Sequence, residues 1–523
     1  MMSYSGRTPV PADQILDDAQ LGAIRHLRNL ADQPPGDWSH MMGALPLQED
    51  FGAYRYQLGY GAIALALAHR HRLPAAPAVF KGTFEKLIAK MLHPEVWIYW
   101  QNASRGKAPM SVDAPELPSE INPVGRDNIM YAAYVQVMAL LYHAMFGDDR
   151  YVAEGSLSFN FQPMLCLADR HESHPYDENS LTNHIYWQMV QNGYLGVACE
   201  PYCVFQVCNQ VPILGFRLHD WINGGSTAEE VIDGYVKAWK EFGGLTAANG
   251  RYNVYVTTHN RRVNSEVEAG TWSDAWANML MNMWNGDFVR EVYARQLDLW
   301  CIKSGPDTTE CVVSPIPESA GIPLGISGDF GFLAACASEM GDQETLKGLL
   351  LHADRFMNPS WSRGGYYYPR NDAHRDAEGR LISMLPLVGN SLLAYARLNV
   401  ANGLQQLFQE PWYADHFSEP CVAEASANLD FQIARYDPQL RTLILVFATW
   451  DDSSEPVKLE IGNIAGRGDW KLLVDGELAA NNHEVSCGQP ERSTKVQVKN
   501  ARIEIELIAN EKVEIEILFG ADL

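Results

Sequence analysis

Near residue 420 the sequence changes its period, and that change limits the folds open to the chain. Before it, apolar side chains recur at helical spacing; after it, they alternate residue by residue. The spacing predicts helices over residues 14–33, 50–72, 79–91, 126–146, 150–169, 179–191 and 227–242, and later over 271–285, 287–301, 325–340, 343–357 and 384–401. Pro34-Pro35-Gly36 and Pro74 supply stops. Only residues 250–258 read as a short strand or hairpin arm in this part. Helices that return about every 20–30 residues without a repeated motif suit antiparallel pairs closed into a ring, apolar helices inside and amphipathic ones outside. The stretches RTLILVFATW, PVKLEIG, DWKLLVDG, STKVQVKN, RIEIELIA and EKVEIEILFG are separated by Gly, Asn and Asp, which is an antiparallel β pattern. The expected fold is mainly α: an (α/α)6 barrel, or toroid, over residues 1–415. A C-terminal antiparallel β-sandwich domain over 420–523 covers or braces it.

A net charge of −24 argues against nucleic acid or an anionic membrane surface as partner, because both ask for a basic footprint. No stretch reads as a membrane span, and the first residues lack a basic run followed by an apolar core. The nine cysteines are an odd number and unevenly spaced, so reduced thiols in the cytoplasm are expected. With 14 Trp and 23 Tyr, an aromatic-walled cavity for a hydrophobic small molecule is the expected partner site; homo-oligomerisation is left open.

Three cysteines fall within CEPYCVFQVCN, Cys199 to Asn209. Pro201 suits the first turn of a helix and Glu200 its positive end, so a helix running on from Pro201 is expected. Cys199 then lies in the preceding loop, with a lowered pKa beside the helix start. Cys208 lies about two turns in and Phe205 shares its face. Buried cysteines are also simply small hydrophobes, and spacing alone does not separate the two readings.

Other chemistries leave no signature. The sequence has no Gly-rich phosphate loop, dinucleotide fingerprint or Gly-x-Ser-x-Gly elbow. The C-x3-C-x4-C spacing matches neither a zinc site nor an iron–sulfur site, so no metal and no cofactor are expected. A toroid with a β-sandwich also suits a carbohydrate-active enzyme, a glycoside hydrolase or polysaccharide lyase. Asp274, Glu318, Asp329 and Asp37 are then the candidate acids.

The order NIMY (Asn128–Tyr131), CEP (Cys199–Pro201), QVCN ending at Asn209, and EMGDQ (Glu339–Gln343) resembles the linalool dehydratase-isomerase family, over about residues 50–400. The resemblance implies an (α/α)6 barrel and a cofactor-free lyase/isomerase, with ring closure a related possibility, acting on an isoprenoid alcohol or polyene. It implies Cys199 and Cys208 as the catalytic cysteines, with Glu200 placed to orient Cys199 or exchange protons with it. It implies substrate-binding roles for Tyr56, Met130, Tyr252 and Tyr255, with Phe205 beside the thiols. Asp37 is the candidate for the family's N-terminal acid. Tyr134 stands where the family has a histidine, and a tyrosine exchanges protons near neutral pH far less readily. That departure points to a related reaction on a different substrate.

Overall fold

The computed structural model describes residues 15–43, 45, 48, 52–162, 171–264, 270–313, 326–482 and 492–520. Its helices are α1 (Asp18–Ala31), α2 (Tyr54–His71), α3 (Pro77–Met91), α4 (Pro94–Trp97), α5 (Trp100–Ala103), α6 (Ile129–Phe146) and α7 (Glu178–Gln191). They continue with α8 (Val211–Asn223), α9 (Thr227–Lys240), α10 (Thr271–Trp300), α11 (Ile326–Met340), α12 (Gln343–Phe356), α13 (Leu393–Leu398) and α14 (Gly403–Gln409). Local chemistry sets many of the ends. Asp17 and Asp177 form capping boxes at α1 and α7, and α3 opens on Pro77. α6 ends at Gly147, whose φ of 58° is left-handed.

Two kinds of helix result. In α2 and α6 nearly every side chain is buried, whichever way it faces. By contrast α9 buries only Ala228, Val231, Tyr235 and Trp239, one stripe spaced by three or four. α6 packs against α2, α3 and α8; α11 packs against α10, α12 and α13; and α13 returns to α2. α6 is long and apolar enough to cross a membrane by length and composition, contrary to the sequence reading, but 83% of that window is buried inside the protein. It is apolar all round because it is surrounded by other helices.

Four expected helices differ. Residues 150–169 give a short 3-10 turn, Arg150–Val152, then the strand Phe159–Phe161 paired with Glu172–His174; residues 163–170 lie outside the described residues. The pair over 271–301 is one run, α10, bent at Asn285 (φ −131°, ψ 42°). The last helix starts as a π turn, Val388–Leu392. There a Cβ on Gly389 would lie 2.0 Å from the Tyr368 carbonyl oxygen, so only glycine lets the two chains meet.

The C-terminal strands form two antiparallel sheets. One runs Cys421–Ala425, Val457–Gly462, Arg502–Leu507, Lys495–Lys499. The other runs Leu429–Asp437, Thr442–Thr449, Val513–Phe519, Trp470–Val474, Glu477–Asn481. In Val513–Phe519 every second side chain is buried, the period of a half-covered strand. The strands at 421–425, 429–437 and 477–481 were not expected from sequence. The first two are the ones that meet the helices: Val422 N–H donates to the Ala75 carbonyl (2.8 Å) and Ala75 N–H to that of Ala434 (3.0 Å). The buried Arg25 pairs with Asp430 across the same seam.

Candidate functional site

The expected helix from Pro201 does not form. Cys199 N–H donates to the Cys203 carbonyl (2.8 Å) and Cys203 N–H to that of Glu200 (2.9 Å), a tight turn with Tyr202 at φ 72°. Cys203–Phe205 then runs as a strand beside Tyr255–Thr257, which pairs in turn with Arg262–Asn264. A β-branched valine and an aromatic suit this strand better than a first helical turn. The proline that opens a helix is Pro212, in the first turn of α8. Cys208 therefore sits in the turn leading into α8, and two local devices bring it back to Cys199. Asn209 bonds both the N–H and the carbonyl of Val197, at 2.8 and 3.0 Å, and also the Phe205 carbonyl at 2.8 Å. At Gly196, where φ is 132°, a Cβ would fall 2.6 Å from the Asn209 side chain. On the other side, Asn128 and Ile129 at the start of α6 donate their N–H groups to the Cys199 and Ala198 carbonyls, each at 3.2 Å. The NIMY and CEP segments are thus one unit.

Cys199 and Cys208 are both buried, and beyond burial itself the Cys208 thiol is a neighbour that raises the Cys199 pKa. The Phe205 backbone acts the other way and lowers it. Burial, then the neighbouring Cys208 and the nearby Glu200 charge, hold the Cys199 thiol well above its usual pKa, so it is a neutral acid at pH 7. The lowered value expected from a helix start is overturned along with the helix. Around the thiols stand rings. Tyr56 lies edge-on to Tyr134 (5.8 Å) and Trp276 (6.0 Å), and Tyr60 to Tyr134 (5.6 Å) and Phe332 (5.8 Å). Trp276 stacks on Phe332 at 4.4 Å. Burial raises Tyr56, Tyr60 and Tyr134 above the usual tyrosine value, so these hydroxyls stay protonated. Tyr134 fits because α2 has glycine opposite it: a Cβ on Gly59 would lie 2.3 Å from the Tyr134 ring.

The family profile of linalool dehydratase/isomerase matches residues 55–374, more than half of the chain and all of this unit. The chain belongs to that family. Its members' description makes it an enzyme of the lyase/isomerase type. Solved structures give fainter likenesses. The unsaturated glucuronyl hydrolase of Bacillus sp. GL1 matches with TM-score 0.42 and 11% identity, over 75% of this chain and 95% of that one. An α-1,6-mannanase of Salegentibacter sp. matches with TM-score 0.39 and 9% identity, over 75% of this chain and 100% of that one. The Lin0763 protein of Listeria innocua matches with TM-score 0.40 and 10% identity, over 74% and 96%. At such scores these likenesses carry no argument.

Within this linalool dehydratase/isomerase family member, the other expected site residues divide. Tyr56 lies within electrostatic reach of both thiols, and Met130 meets the neighbouring Arg55, its sulfur 3.6 Å from a guanidinium nitrogen. Tyr255 and Phe205 face each other across two strands, rings stacked at 4.8 Å. Tyr252 is drawn elsewhere, its hydroxyl donating to Asn278 (2.8 Å) on α10 and its ring beside Phe288. Asp37 lies in a surface turn, where its carboxylate accepts from the Ser39 N–H (2.9 Å) and hydroxyl (2.5 Å). The carbohydrate acids fare alike. Asp274 is tied to Arg251 (3.1 Å) and the Tyr252 N–H, and Asp329 accepts from Trp272 N–H (2.6 Å) at the start of α10. Glu318 lies outside the described residues. Among the described residues no group of three or more His, Cys, Asp or Glu is arranged to hold a metal.

Sequence reasoning assigned no site role to Arg55, Tyr60 and Trp276, and it offered Glu339 only as part of a family motif. Glu339, in EMGDQ, accepts from Asn282, Asn399 and the N–H groups of Leu404 and Gln405, at 2.9 to 3.1 Å. That motif ties α10, α11 and α14 together. The arginine had one signal: a charged residue inside an otherwise apolar helical stretch, RYQLGYGAIALALA, is seldom buried without a task.

Proposed function

We propose that this enzyme is a cofactor-independent lyase/isomerase or cyclase that acts on an isoprenoid alcohol or polyene by acid–base chemistry at Cys199 and Cys208. The observation that carries it is the buried pair of neighbouring thiols among aromatic side chains, in a chain of this family. In our reading the Cys199 S–H protonates the leaving hydroxyl, and the C–O bond breaks to release water. As charge forms on the sulfur, the neighbouring Cys208 S–H and Phe205 N–H turn to it as donors. The thiolate then takes a proton from the carbon next to the allylic cation, which restores the thiol and leaves a new double bond. Faces of Tyr56, Tyr60, Trp276 and Phe332 offset the transient positive charge, at roughly 0.5–2 kcal/mol per contact. With Tyr134 neutral and no imidazole at its place, the thiols carry the proton traffic; a polyene folded against them closes a ring first, and the cyclised cation then loses its proton to the Cys199 thiolate.

The same reading takes α2, α6, α8, α10, α11 and α13 as the inner ring of an (α/α)6 barrel, with the strands after residue 420 as a bracing β-sandwich. Successive contacts support the ring, including the Trp284 indole N–H to Gln210 bond (2.9 Å) between α10 and the start of α8. Seven described cysteines are free, which suits a reducing compartment such as the cytoplasm.

The test is turnover of a panel of isoprenoid alcohols, followed by gas chromatography, in wild type, Cys199→Ala and Cys208→Ala. Each variant should lose at least about 100-fold in rate, the scale of one general acid–base group, while keeping its melting temperature within a few degrees. Undiminished turnover in both variants would sink the proposal.

A further inference from the structure

Arg55 is the second residue of α2 and is 1% exposed. Its guanidinium carbon lies 4.6 Å from the centre of the Tyr56 ring and 4.3 Å from that of Tyr99, so two aromatic faces fix its plane. One terminal nitrogen donates to the Gln48 carbonyl. The other has the Met130 sulfur at 3.6 Å, a weak acceptor. The Nε–H meets no acceptor among the described residues. An arginine buried this completely normally has its donors filled, since an unmet buried donor has lost its water and gained nothing in return. The two rings that hold Arg55 lie within electrostatic reach of the thiols and Glu200: Tyr56 feels both thiols and Glu200, and Tyr99 feels Cys199 and Glu200.

We propose that Arg55 receives the oxygen of the substrate, a neutral hydroxyl or carbonyl, and so sets which end of the molecule faces Cys199. This rests on the isoprenoid reading above. The oxygen displaces the weak sulfur contact and fills the Nε–H. Neutrality follows from the charges present. Glu200 already stands near as the counter-charge to Arg55, so a substrate carboxylate would face a like charge in a poorly solvated place. The arginine also orders the other end. Its fixed positive charge disfavours cation character beside it, so positive charge develops away from it, toward Trp276 and Phe332.

Binding tests this without any assay of turnover. The probes are farnesol, its hydroxyl-free hydrocarbon and farnesoic acid, titrated at pH 7.5 against tryptophan fluorescence. The 15Nε–H resonance of Arg55, identified by its loss in Arg55→Lys, is followed in parallel. Wild type should prefer farnesol over the hydrocarbon by about ten- to a hundredfold, the worth of a hydrogen bond to a charged group, and over the acid as well. Farnesol should shift the Nε–H resonance, and the hydrocarbon should leave it in place. In Arg55→Met the preference should vanish while the hydrocarbon still binds. A preference that survives in Arg55→Met, tighter binding of the acid, or an Nε–H signal unmoved by bound farnesol overturns the proposal. If Arg55→Met does not fold, the wild-type resonance is the deciding measurement: a shift with farnesol supports the assignment and an unmoved signal overturns it. Failure of both farnesol and the hydrocarbon to bind the wild type overturns the isoprenoid reading itself, and this assignment with it.

Discussion

Tyr134 and Gly59 act as one feature. The ring of Tyr134 can lie against α2 only because Gly59 has no side chain there. Placing alanine at an exposed helical glycine gains about 1 kcal/mol in helix propensity, but overpacking a tight core costs about 1–3 kcal/mol. A contact of 2.3 Å leaves no room for the methyl, so the clash outweighs the propensity. Gly59→Ala should therefore lower the melting temperature by several degrees and cut turnover, as Tyr134 is pushed toward Tyr56 and Tyr60. Pairing it with Tyr134→His, a smaller ring, should restore part of the lost stability. A calorimetric scan of the two variants checks this, and a double variant no better than Gly59→Ala would mean that the contact is relieved elsewhere. At this scale the two cysteines were legible because a family motif carried them. Arg55 and Gly59 were not, since their partners lie on other elements: Tyr99 beyond α3 for one, Tyr134 on α6 for the other.

The thiols are spaced by a small sheet rather than by a helix. Pro201 and Glu200 carry the marks of a helix start, but those marks are local, while the pairing of Cys203–Phe205 with Tyr255–Thr257 is made about fifty residues away. Period alone gave the long helices well, since burial on a helix repeats with its own turn. It missed the strands at 421–425 and 429–437 because their partners, α1 and α3, lie some 350 residues upstream. The middle strand makes the thiol spacing testable. Val256 pairs with Val204 on one side and Val263 on the other, so Val256→Pro removes a ladder donor and bends the strand. Helical content by circular dichroism should remain near that of the wild type. The slow reaction of the buried Cys199 and Cys208 with a thiol reagent should become fast, read by mass spectrometry of the labelled peptide. Unchanged labelling would mean that Asn209 alone holds the two thiols.

Three histidines gather where the end of α2 meets the last turns before the strands, and they couple the stability of the whole molecule to pH. His69 is stacked on Phe80 (4.9 Å) and Phe146 (5.4 Å), and its Nδ1 lies 3.1 Å from the Leu73 carbonyl. His71 bonds the Gly403 carbonyl (3.0 Å), and His416 stacks on Trp412 at 3.9 Å. Burial lowers His69 to about 3 and His71 and His416 to about 4, with Arg70 adding to the effect in each case. Unfolded, all three take up protons near pH 6.5; folded, they do so only near pH 4 or below. The stability they contribute is thus complete above pH 6.5 and is lost as pH falls toward 4, at up to about 1.4 kcal/mol per pH unit for each imidazole. Asp127 and Asp274 oppose this, since burial raises both to about 6, so that the folded state takes up their protons first between pH 6 and 4. His26, which burial lowers to about 4, adds to the three, while burial also raises Glu339, Glu419 and Asp430. The histidines of the unfolded chain take up protons first on the way down from pH 7, so the melting temperature should fall between pH 7 and pH 5. His69→Gln loses packing and should melt lower at pH 7.5, yet with a shallower slope toward acid. Parallel slopes for wild type and His69→Gln, by scanning calorimetry at half-unit steps, would mean that His69 is protonated in the folded protein and that the seam opens at another group.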